Sequence, residues 1–268
     1  MTIPPTVLPA IDPPPIVQVS GVGQRFGTRI IFRDVSFSVA AGEVFVILGG
    51  SGCGKSTLLN QMIGLLPPTA GDIDIAGQRI TGKHGAAGRH ASQRSFGVMF
   101  QSGALFGSMT LLQNVMLPLQ MFTNLPEDGC EAVARVKLGL VGLGHAVTLM
   151  PAEISGGMAK RAGIARAMAL DPHILFLDEP SAGLDPVTSA GLDRLILDLR
   201  ADLGATFVVV THELASILTI ADRCLMLDAA AHPDSGGVIA MGDPRTLRDT
   251  STDPKVHAFF HRETLEAA

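Results

Sequence analysis

The residues best suited to chemistry in this sequence form a glycine-rich run that ends in a lysine and two hydroxyl side chains. The run comprises Gly49, Gly50, Ser51, Gly52, Cys53, Gly54, Lys55, Ser56 and Thr57. Glycines at this spacing let successive backbone N–H groups face phosphate oxygens, and the following helix adds its positive N-terminal end. The pattern predicts that Lys55 reaches the β- and γ-phosphates of a nucleotide and that the Ser56 hydroxyl binds Mg²⁺. We expect Thr57 to donate to the α-phosphate.

Two acidic residues, Asp178 and Glu179, follow an apolar stretch at 174–177. A carboxylate at the tip of a strand can hold Mg²⁺ through water, and we assign this role to Asp178. Glu179 is then placed beside the γ-phosphate, where it polarises an attacking water and raises the rate by about 10²–10⁴-fold. Acids also cap strand ends without catalytic roles, and the glycine-rich run upstream favours the catalytic interpretation.

Two further polar residues follow short apolar stretches. His212 comes after Thr211 and the stretch 207–210, and Gln101 comes after 98–100. Because the carboxyl ends of parallel strands meet at one edge of a sheet, His212 is predicted to lie at the edge that binds the nucleotide. A surface or core position is the alternative for a single histidine.

A second candidate anion site begins at 154–158, which is Ile-Ser-Gly-Gly-Met. Ser155, Gly156 and Gly157 precede a predicted helix, so backbone N–H groups stand at a helix start without Cβ obstruction. A chain that already holds a triphosphate on its glycine-rich run has no obvious use of its own for this second site.

These motifs require a sheet whose strands end at one edge. Strands are predicted at 44–48, 71–77, 174–177, 207–210 and 224–227, with short strands between 16 and 45. Helices are predicted at 55–66, 158–170 and 189–203, the last with an apolar face of Leu192, Leu195, Ile196, Leu199 and Leu203. Met, Leu and Ala recur at helical spacing from 102 to about 150. The alternation predicts an α/β fold with a parallel sheet and an inserted helical lobe.

Composition limits the classes of function. The net charge is −5 and no basic stripe is visible, which argues against a nucleic-acid partner. Three cysteines without close pairing predict free thiols in a reducing compartment. No stretch approaches the roughly 18–20 apolar residues of a membrane-spanning helix, and no secretory pattern begins the chain, so we expect a soluble cytoplasmic location. A hydrophobic content of 47% predicts a stable apolar interface or a large buried sheet.

The chain divides into three segments. Residues 1–15 contain six prolines and are predicted to be a disordered or polyproline arm, either a plain tail or a docking segment. We assign 16–245 to the main domain, with its helical subdomain at about 102–160, and 246–268 to a C-terminal extension. The segment 82–94 is predicted as a solvated loop, with a basic anion site as the alternative. The segment 229–237 is predicted as an extended hairpin loop.

The glycine-rich run and the Ser-Gly-Gly turn together resemble the ATP-binding cassette (ABC) of membrane transporters, whose signature is normally Leu-Ser-Gly-Gly-Gln. The resemblance extends over about 16–245, with every motif in the expected order. It implies a P-loop NTPase fold of the ABC type, with an antiparallel β subdomain and an inserted α-helical subdomain, that hydrolyses ATP with Mg²⁺. Met158 replaces the usual Gln, which removes one polar side chain without disturbing the backbone donors, so we expect activity to survive.

The resemblance also implies roles for individual residues. Gln101 would bind Mg²⁺ and water and couple to a membrane partner, and His212 would contact the γ-phosphate and orient water. Asp185 falls in the segment that spans the two sites of a dimer. Phe26 falls where the family stacks an aromatic ring on adenine, with a core position as the alternative.

In the family, the signature residues cap the γ-phosphate of ATP bound to the opposing subunit. In this sequence they are Ser155, Gly156, Gly157 and Met158. Because each motif occurs once, we expect a homodimer that sandwiches two ATP molecules between its chains, with hydrolysis as the release step.

A narrower resemblance concerns the cargo. Residues 101–106 and 155–158, with the tail 253–260, resemble the ATPases of Mla/Mce phospholipid transport systems. This implies integral membrane permease subunits, an MCE-domain lipid-binding protein and a peripheral position on the cytoplasmic face of the inner membrane. The apolar segment 100–119 predicts a groove for a permease helix, or packing within the lobe. An ABC ATPase for another cargo, by metabolite import or efflux, and a non-transport ABC protein are the alternatives.

Overall fold

The computed structural model describes residues 15–80 and 95–263. The predicted arm at 1–15, apart from Pro15, and the predicted loop at 82–94 lie outside the described residues. The last residues of the proposed C-terminal extension, 264–268, lie outside them as well.

Ten strands form one mixed sheet in the described ranges. They are β1 (Val17–Phe26), β2 (Arg29–Val39), β3 (Val44–Gly49), β4 (Ala70–Ile75), β5 (Gln78–Arg79), β6 (Phe96–Met99), β7 (Ile174–Asp178), β8 (Thr206–Val210), β9 (Arg223–His232) and β10 (Ser235–Gly242). Their order across the sheet is β5-β4-β1-β2-β10-β9-β3-β8-β7-β6.

Parallel pairing joins β6, β7, β8, β3 and β9, as the alternation of strands and helices predicts. Ile47 of β3 and Asp178 of β7 both pair with Val210 of β8. Leu177 of β7 pairs with Met99 of β6. Strands β3, β6, β7 and β8 therefore end within about two residues of one another, and the residues that follow them lie at one edge of the sheet.

Antiparallel pairing joins β1 to β2 and β4, and β4 to β5. This part of the sheet meets the parallel part through β10, where Gly236 pairs with Phe32 of β2. The predicted hairpin at 229–237 is confirmed, but its loop is short rather than extended, because most of these residues belong to β9 and β10. Ser235 pairs with His232, so the turn contains Pro233 and Asp234 alone.

Eight α-helices lie within the described residues. They are α1 (Lys55–Met62), α2 (Leu111–Phe122), α3 (Glu127–Leu140), α4 (Gly156–Ala167), α5 (Pro186–Leu203), α6 (Leu214–Ile220), α7 (Pro244–Thr250) and α8 (Pro254–His261). Helix α1 ends four residues before the predicted position, because Gly64 adopts a φ of +74°. Helix α5 begins three residues earlier than predicted, since Asp185 accepts hydrogen bonds from its first turn and Pro186 occupies the first helical position.

Apolar side chains bury both faces of the sheet. One layer packs α1 against β3, β7 and β8, and the other combines α5 and α6 with the helical lobe of α2, α3 and α4. The predicted apolar face of α5 is buried except for Leu203, which is 49% exposed. Leu203 is the last helical residue before Gly204, whose φ of +64° ends the helix and leaves that side chain beyond the packed face.

The C-terminal helices pack onto the same core. Val256 and Phe260 of α8 are buried with residues of the sheet and of α5 and α6. All three cysteines are buried free thiols. No helix within the described ranges is long and apolar enough to cross a membrane.

Helices α5 and α6 are joined by a buried polar pair. The Ser216 hydroxyl donates to the Asp193 carboxylate at 2.9 Å. Burial raises the pKa of Asp193 to about 6, with a smaller contribution from the nearby Glu213 charge, while the Ser216 hydrogen bond opposes the shift. The folded state therefore favours the protonated form of this group.

Because the folded-state pKa of Asp193 exceeds its ordinary value, its contribution to stability is lost as the pH rises from about 4 through 6. Asp193→Asn keeps the acceptor for Ser216 and removes the ionisation. The change that it causes in the free energy of unfolding should therefore be more stabilising at pH 8 than at pH 4.5, by about 2 kcal/mol. Urea unfolding at both pH values measures this difference. Asp202→Asn, at an exposed position near the end of α5, serves as the control. An equal effect of Asp193→Asn at the two pH values would contradict the assignment.

Candidate nucleotide-binding site

The glycine-rich loop connects β3 to α1 and has no room for side chains at two of its glycines. Gly49 has a φ of +145°, and a Cβ there would lie 2.2 Å from the Leu227 carbonyl oxygen. Gly54 has a φ of +103°, and a Cβ there would lie 2.7 Å from the Phe32 ring. Both positions therefore require glycine to let the chain turn tightly into the helix.

The start of α1 is suited to an anion. No side chain caps this helix, and its first turn contains no acidic residue, so its N–H groups face the loop without a competing carboxylate. The Lys55 Nζ donates to the carbonyl oxygens of Gly49 and Gly50 at 2.8 and 2.9 Å. The ammonium group thus lies over the loop, where it can contact the β- and γ-phosphates of a bound nucleotide.

The level ends of β3, β7 and β8 bring the predicted acids and the histidine together. The Glu179 N–H donates to the Val210 carbonyl at 2.8 Å, which fixes Glu179 beside the end of β8. The His212 Nδ1 lies 2.8 Å from the Glu179 Oε1. His212 therefore lies at the edge where the sequence predicts it, and because it is exposed, of the two alternatives only the core position is excluded.

The Glu179 carboxylate is nearly buried and only half satisfied. Its Oε2 is buried and has no hydrogen-bond partner among the described residues. A buried carboxylate oxygen strongly favours a donor. The contact with His212 through Oε1 holds the carboxylate in place, so that its Oε2 is free to accept a hydrogen bond from a donor such as water.

The residues predicted to hold Mg²⁺ supply oxygen donors of the right kind. Asp178 ends β7, and Gln101 follows the end of β6 two residues after Met99. Ser56 lies in the first turn of α1. Burial raises the pKa of Asp178, and Glu179 raises it further, whereas the Lys160 and Lys55 charges lower it. A carboxylate, a hydroxyl and an amide oxygen suit a hard cation that takes its remaining ligands from phosphate and water.

The signature turn begins α4, and the Ser155 side chain caps the start of this helix. The Ser155 Oγ accepts a hydrogen bond from the Met158 N–H at 3.2 Å. Gly156 has open space, since a Cβ there would lie 3.7 Å from its nearest neighbour, Leu184. Gly157 is packed, since a Cβ would lie 2.5 Å from the Thr188 Cγ2. Met158 is half-buried and packs against the apolar core, which accounts for an apolar residue at this position.

Asp185 has a contact within its own chain. Its carboxylate accepts hydrogen bonds from the Val187 and Thr188 N–H groups at 3.0 Å and from the Thr188 hydroxyl. It therefore caps α5, in addition to any contact with a second chain. Because Thr188 also contacts Gly157, the start of α4 and the start of α5 are packed together.

Phe26 ends β1 and is 51% exposed, so the alternative of a core position is wrong.

Lys160 was not among the predicted site residues, although it lies on the signature helix and contacts residues of the candidate site. It is buried in α4, and its Nζ donates to the main chains of Gln101 and Glu179. The spacing of the sequence gives no sign of these contacts.

The family profile described as ABC transporter matches residues 32–182, more than half of the chain. The chain belongs to the ABC transporter family. The matched segment of this ABC chain contains the glycine-rich loop, the signature turn and the two acids at the end of β7.

The curated relatives of this ABC chain are named for the transport of different molecules. It is 43% identical over 245 residues to a "probable ribonucleotide transport ATP-binding protein mkl" of Mycobacterium bovis, covering 91% of this chain and 66% of the relative. It is 39% identical over 245 residues to the "intermembrane phospholipid transport system ATP-binding protein MlaF" of Escherichia coli, covering 91% of this chain and 88% of the relative. The chain thus spans just under two thirds of the mycobacterial relative's length.

A solved structure gives the same ABC cassette fold. It is a dimeric ATP-binding cassette in a post-hydrolysis state, bound to ADP and Pi, with 28% identity and a TM-score of 0.74. The similarity covers 85% of this chain and 98% of the solved chain. The predicted fold class is therefore confirmed.

The close contact between Gly157 and Thr188 can be tested by a double-mutant cycle. Gly→Ala within a helix ordinarily stabilises a protein, but Gly157→Ala should lower the free energy of unfolding by about 1–3 kcal/mol because of the clash with the Thr188 methyl. Thr188→Ser removes that methyl and keeps the hydroxyl that contacts Asp185, so the double variant should recover most of the loss. Gly156→Ala, where there is space, is the control. Additive effects of the two substitutions in urea unfolding would show that the contact is absent.

Proposed function

We propose that this chain is the ATP-hydrolysing subunit of an ABC transporter. The observation that carries the proposal is the Glu179–His212 pair, which stands at the strand edge beside the glycine-rich loop with one carboxylate oxygen left to accept a proton. Hydrolysis of ATP to ADP and phosphate needs such an acceptor within reach of the attacking water. Phosphate release from Mg²⁺-ATP by the purified chain, with its permease where the complex is needed, tests the proposal.

In the proposed reaction, the loop N–H groups and Lys55 bind the triphosphate and orient the γ-phosphate toward Glu179. Mg²⁺, held by Ser56, Asp178 and Gln101, would neutralise charge on the β- and γ-phosphates. The Glu179 Oε2 accepts a hydrogen bond from the attacking water, while the Glu179 Oε1 keeps its hydrogen bond with His212. His212 thereby holds the carboxylate oriented and lies at the edge where the γ-phosphate charge develops. Phe26 supplies an exposed ring for stacking on the adenine.

The proposed active unit is a homodimer. Gly156 at the start of α4 has room for a Cβ, with Leu184 as its nearest neighbour at 3.7 Å, and this space leaves the turn accessible to a phosphate of a second chain. The dimeric cassette with ADP and Pi supports this arrangement by its similarity. Residues 155–158 would cap the ATP of the partner, and Asp185 would approach the interface between the two sites.

Glu179→Gln should preserve the shape of the site while removing the proton acceptor. We expect hydrolysis to fall by about 10²–10⁴-fold and the chain to accumulate as an ATP-loaded dimer, because the step that releases the dimer is blocked. Light scattering with Mg²⁺-ATP measures the mass, and analysis of the bound nucleotide identifies ATP. Glu127→Gln, an exposed acid at the start of α3, should behave as the wild type. A Glu179→Gln chain that stays monomeric with ATP, also in the presence of the membrane partner, would refute the sandwich.

An apolar groove in the helical lobe provides a site for the membrane subunit. It measures about 500 Å³ and lies between α2, α4 and β6. Its lining includes Phe106, Leu117, Met121 and Leu170, and Arg166 is the one charged residue among those described there. The opposite face of α2, with Leu111, Val115 and Leu119, is buried in the lobe core. Both alternatives for the segment 100–119 therefore have support: one face packs the lobe, and the other remains for a permease helix.

Met121→Glu should prevent docking to the permease. The Met121 side chain is 65% exposed and lines the groove, so a carboxylate there would be buried unpaired against an apolar helix. We expect at least a tenfold loss of the chain that co-purifies with its permease, with ATP binding unchanged. Val136→Glu is the matched control, because Val136 is 60% exposed on α3 outside the groove. Equal loss in both variants, or in neither, would contradict the docking site.

We further propose that the cargo is phospholipid, moved by a Mla/Mce-type permease that works with an MCE-domain protein. The similarity to the Escherichia coli relative supports this, together with the Ser-Gly-Gly-Met signature. The mycobacterial relative's name makes a ribonucleotide the second candidate cargo. The subunit would then sit peripherally on the cytoplasmic face of the inner membrane, with 16–245 as its cassette domain and about 102–160 as the helical subdomain.

Purification of the native complex from membranes, followed by analysis of its bound molecules, distinguishes the cargo classes. Phospholipid together with an MCE-domain protein is the expected result. A ribonucleotide in its place, or a periplasmic solute-binding protein for a sugar or amino acid without any MCE-domain protein, would overturn the lipid proposal and leave the ATPase proposal intact.

A further inference from the structure

Lys160 is a buried cation between the signature turn and the hydrolysis site. It lies on α4, five residues after Ser155, and it is only 6% exposed. Its Nζ donates to the main-chain carbonyl of Gln101 and to that of Glu179, the latter at 3.1 Å. Both acceptors are backbone atoms of residues assigned to the reaction, so one side chain contacts the main chain of the predicted Mg²⁺ ligand and of the water-activating acid.

The surroundings of Lys160 explain how a lysine is accommodated there. Burial lowers the pKa of Lys160, and the Glu179 and Asp178 carboxylates oppose that shift. An amine in such a place is stabilised by acceptors and by opposite charge. The two carbonyl groups and the two nearby carboxylates supply both. Lys160 is therefore held by the hydrolysis site itself rather than by solvent or by a surface ion pair.

The backbone of Glu179 needs such support. Its φ is +45°, a left-handed conformation that a residue with a long side chain rarely adopts. On one side its N–H donates to Val210, and on the other its carbonyl accepts from Lys160 and from the Ala182 N–H at 3.2 Å. These contacts hold the conformation that directs the carboxylate toward His212.

We propose that Lys160 is a positioning residue, which fixes the main chains of Gln101 and Glu179 and joins them to the signature helix. This inference rests on the proposed ATPase function. Through Lys160, a displacement of α4 when its N-terminus engages the partner's nucleotide would reach Glu179 of the same chain. The effect concerns the hydrolytic step and not nucleotide binding, because Lys160 contacts neither the glycine-rich loop nor Lys55.

The test compares three variants of the full chain, with its permease where the complex is needed. Lys160→Met keeps the aliphatic bulk and removes the donor, and Lys160→Arg restores a cation that can donate to both carbonyls. Arg161→Met is the matched control, since Arg161 is the next residue of α4 and its guanidinium donates to the carbonyls of Val141 and Gly191, away from the site. Steady-state hydrolysis, ATP affinity and thermal unfolding are measured for each.

We expect Lys160→Met to lower kcat by about tenfold or more with KM for ATP within about threefold of wild type, because an interaction made in the reaction and not in binding is lost. Lys160→Arg should recover most of the rate, and Arg161→Met should keep kcat within about threefold. If Lys160→Met fails to fold, Lys160→Gln takes its place, with an amide that can donate to one carbonyl, and the same loss of kcat is expected.

Three results would overturn the inference. One is a kcat for folded Lys160→Met equal to that of Arg161→Met, and another is a folded Lys160→Arg no more active than Lys160→Met. The third is a loss confined to ATP affinity. If any of these occurs while the wild-type chain hydrolyses ATP, the positioning role fails and the ATPase proposal stands. If the wild-type chain with its permease hydrolyses no ATP, both fail.

Discussion

The level termination of four parallel strands is the constraint on which the rest of this structure depends. Val210 pairs with both Ile47 and Asp178, so the glycine-rich loop, the two acids and the histidine leave the sheet at the same height. Each strand is apolar and buried, and its polar function begins only at its last residue or just after it. A slip of one residue in any pair would turn that strand's side chains to the other face and separate Glu179 from His212.

Around this edge, the packing of the helices ties the signature turn to α5 and to the end of β7. Gly157 packs closely against Thr188, and the Thr188 hydroxyl and N–H donate to the Asp185 carboxylate. Lys160 of α4 donates to the main-chain carbonyl of Glu179. The signature turn is therefore attached both to the helix that follows Asp185 and to the main chain of Glu179. Glu179, whose φ of +45° is strained, lies where these contacts meet. Backbone strain of this kind is found mainly at functional sites, where the surrounding contacts hold it.

Much of this site could be predicted because its residues follow strands and the ends of parallel strands share an edge. Lys55, Asp178, Glu179 and His212 lie where that rule places them. The short turn of the β9–β10 hairpin could not be predicted, because the run Ala229–Ala231 shows no alternation that would mark it as part of a strand. Lys160 was missed because its partners are carbonyl groups 59 and 19 residues away, which no local spacing reveals.

The central claim is that each ATP is bound by the glycine-rich loop of one chain and the signature turn of the other. A mixture of two defective chains tests it most directly, one with Lys55→Ala and one with Gly156→Asp, each in the Glu179→Gln background. The Asp side chain fits beside Leu184 but places a carboxylate against phosphate. Only the mixed dimer contains one intact composite site. We expect the mixture to retain ATP in dimers while neither chain alone does. Retention no greater than the sum of the separate chains would contradict ATP binding between two chains.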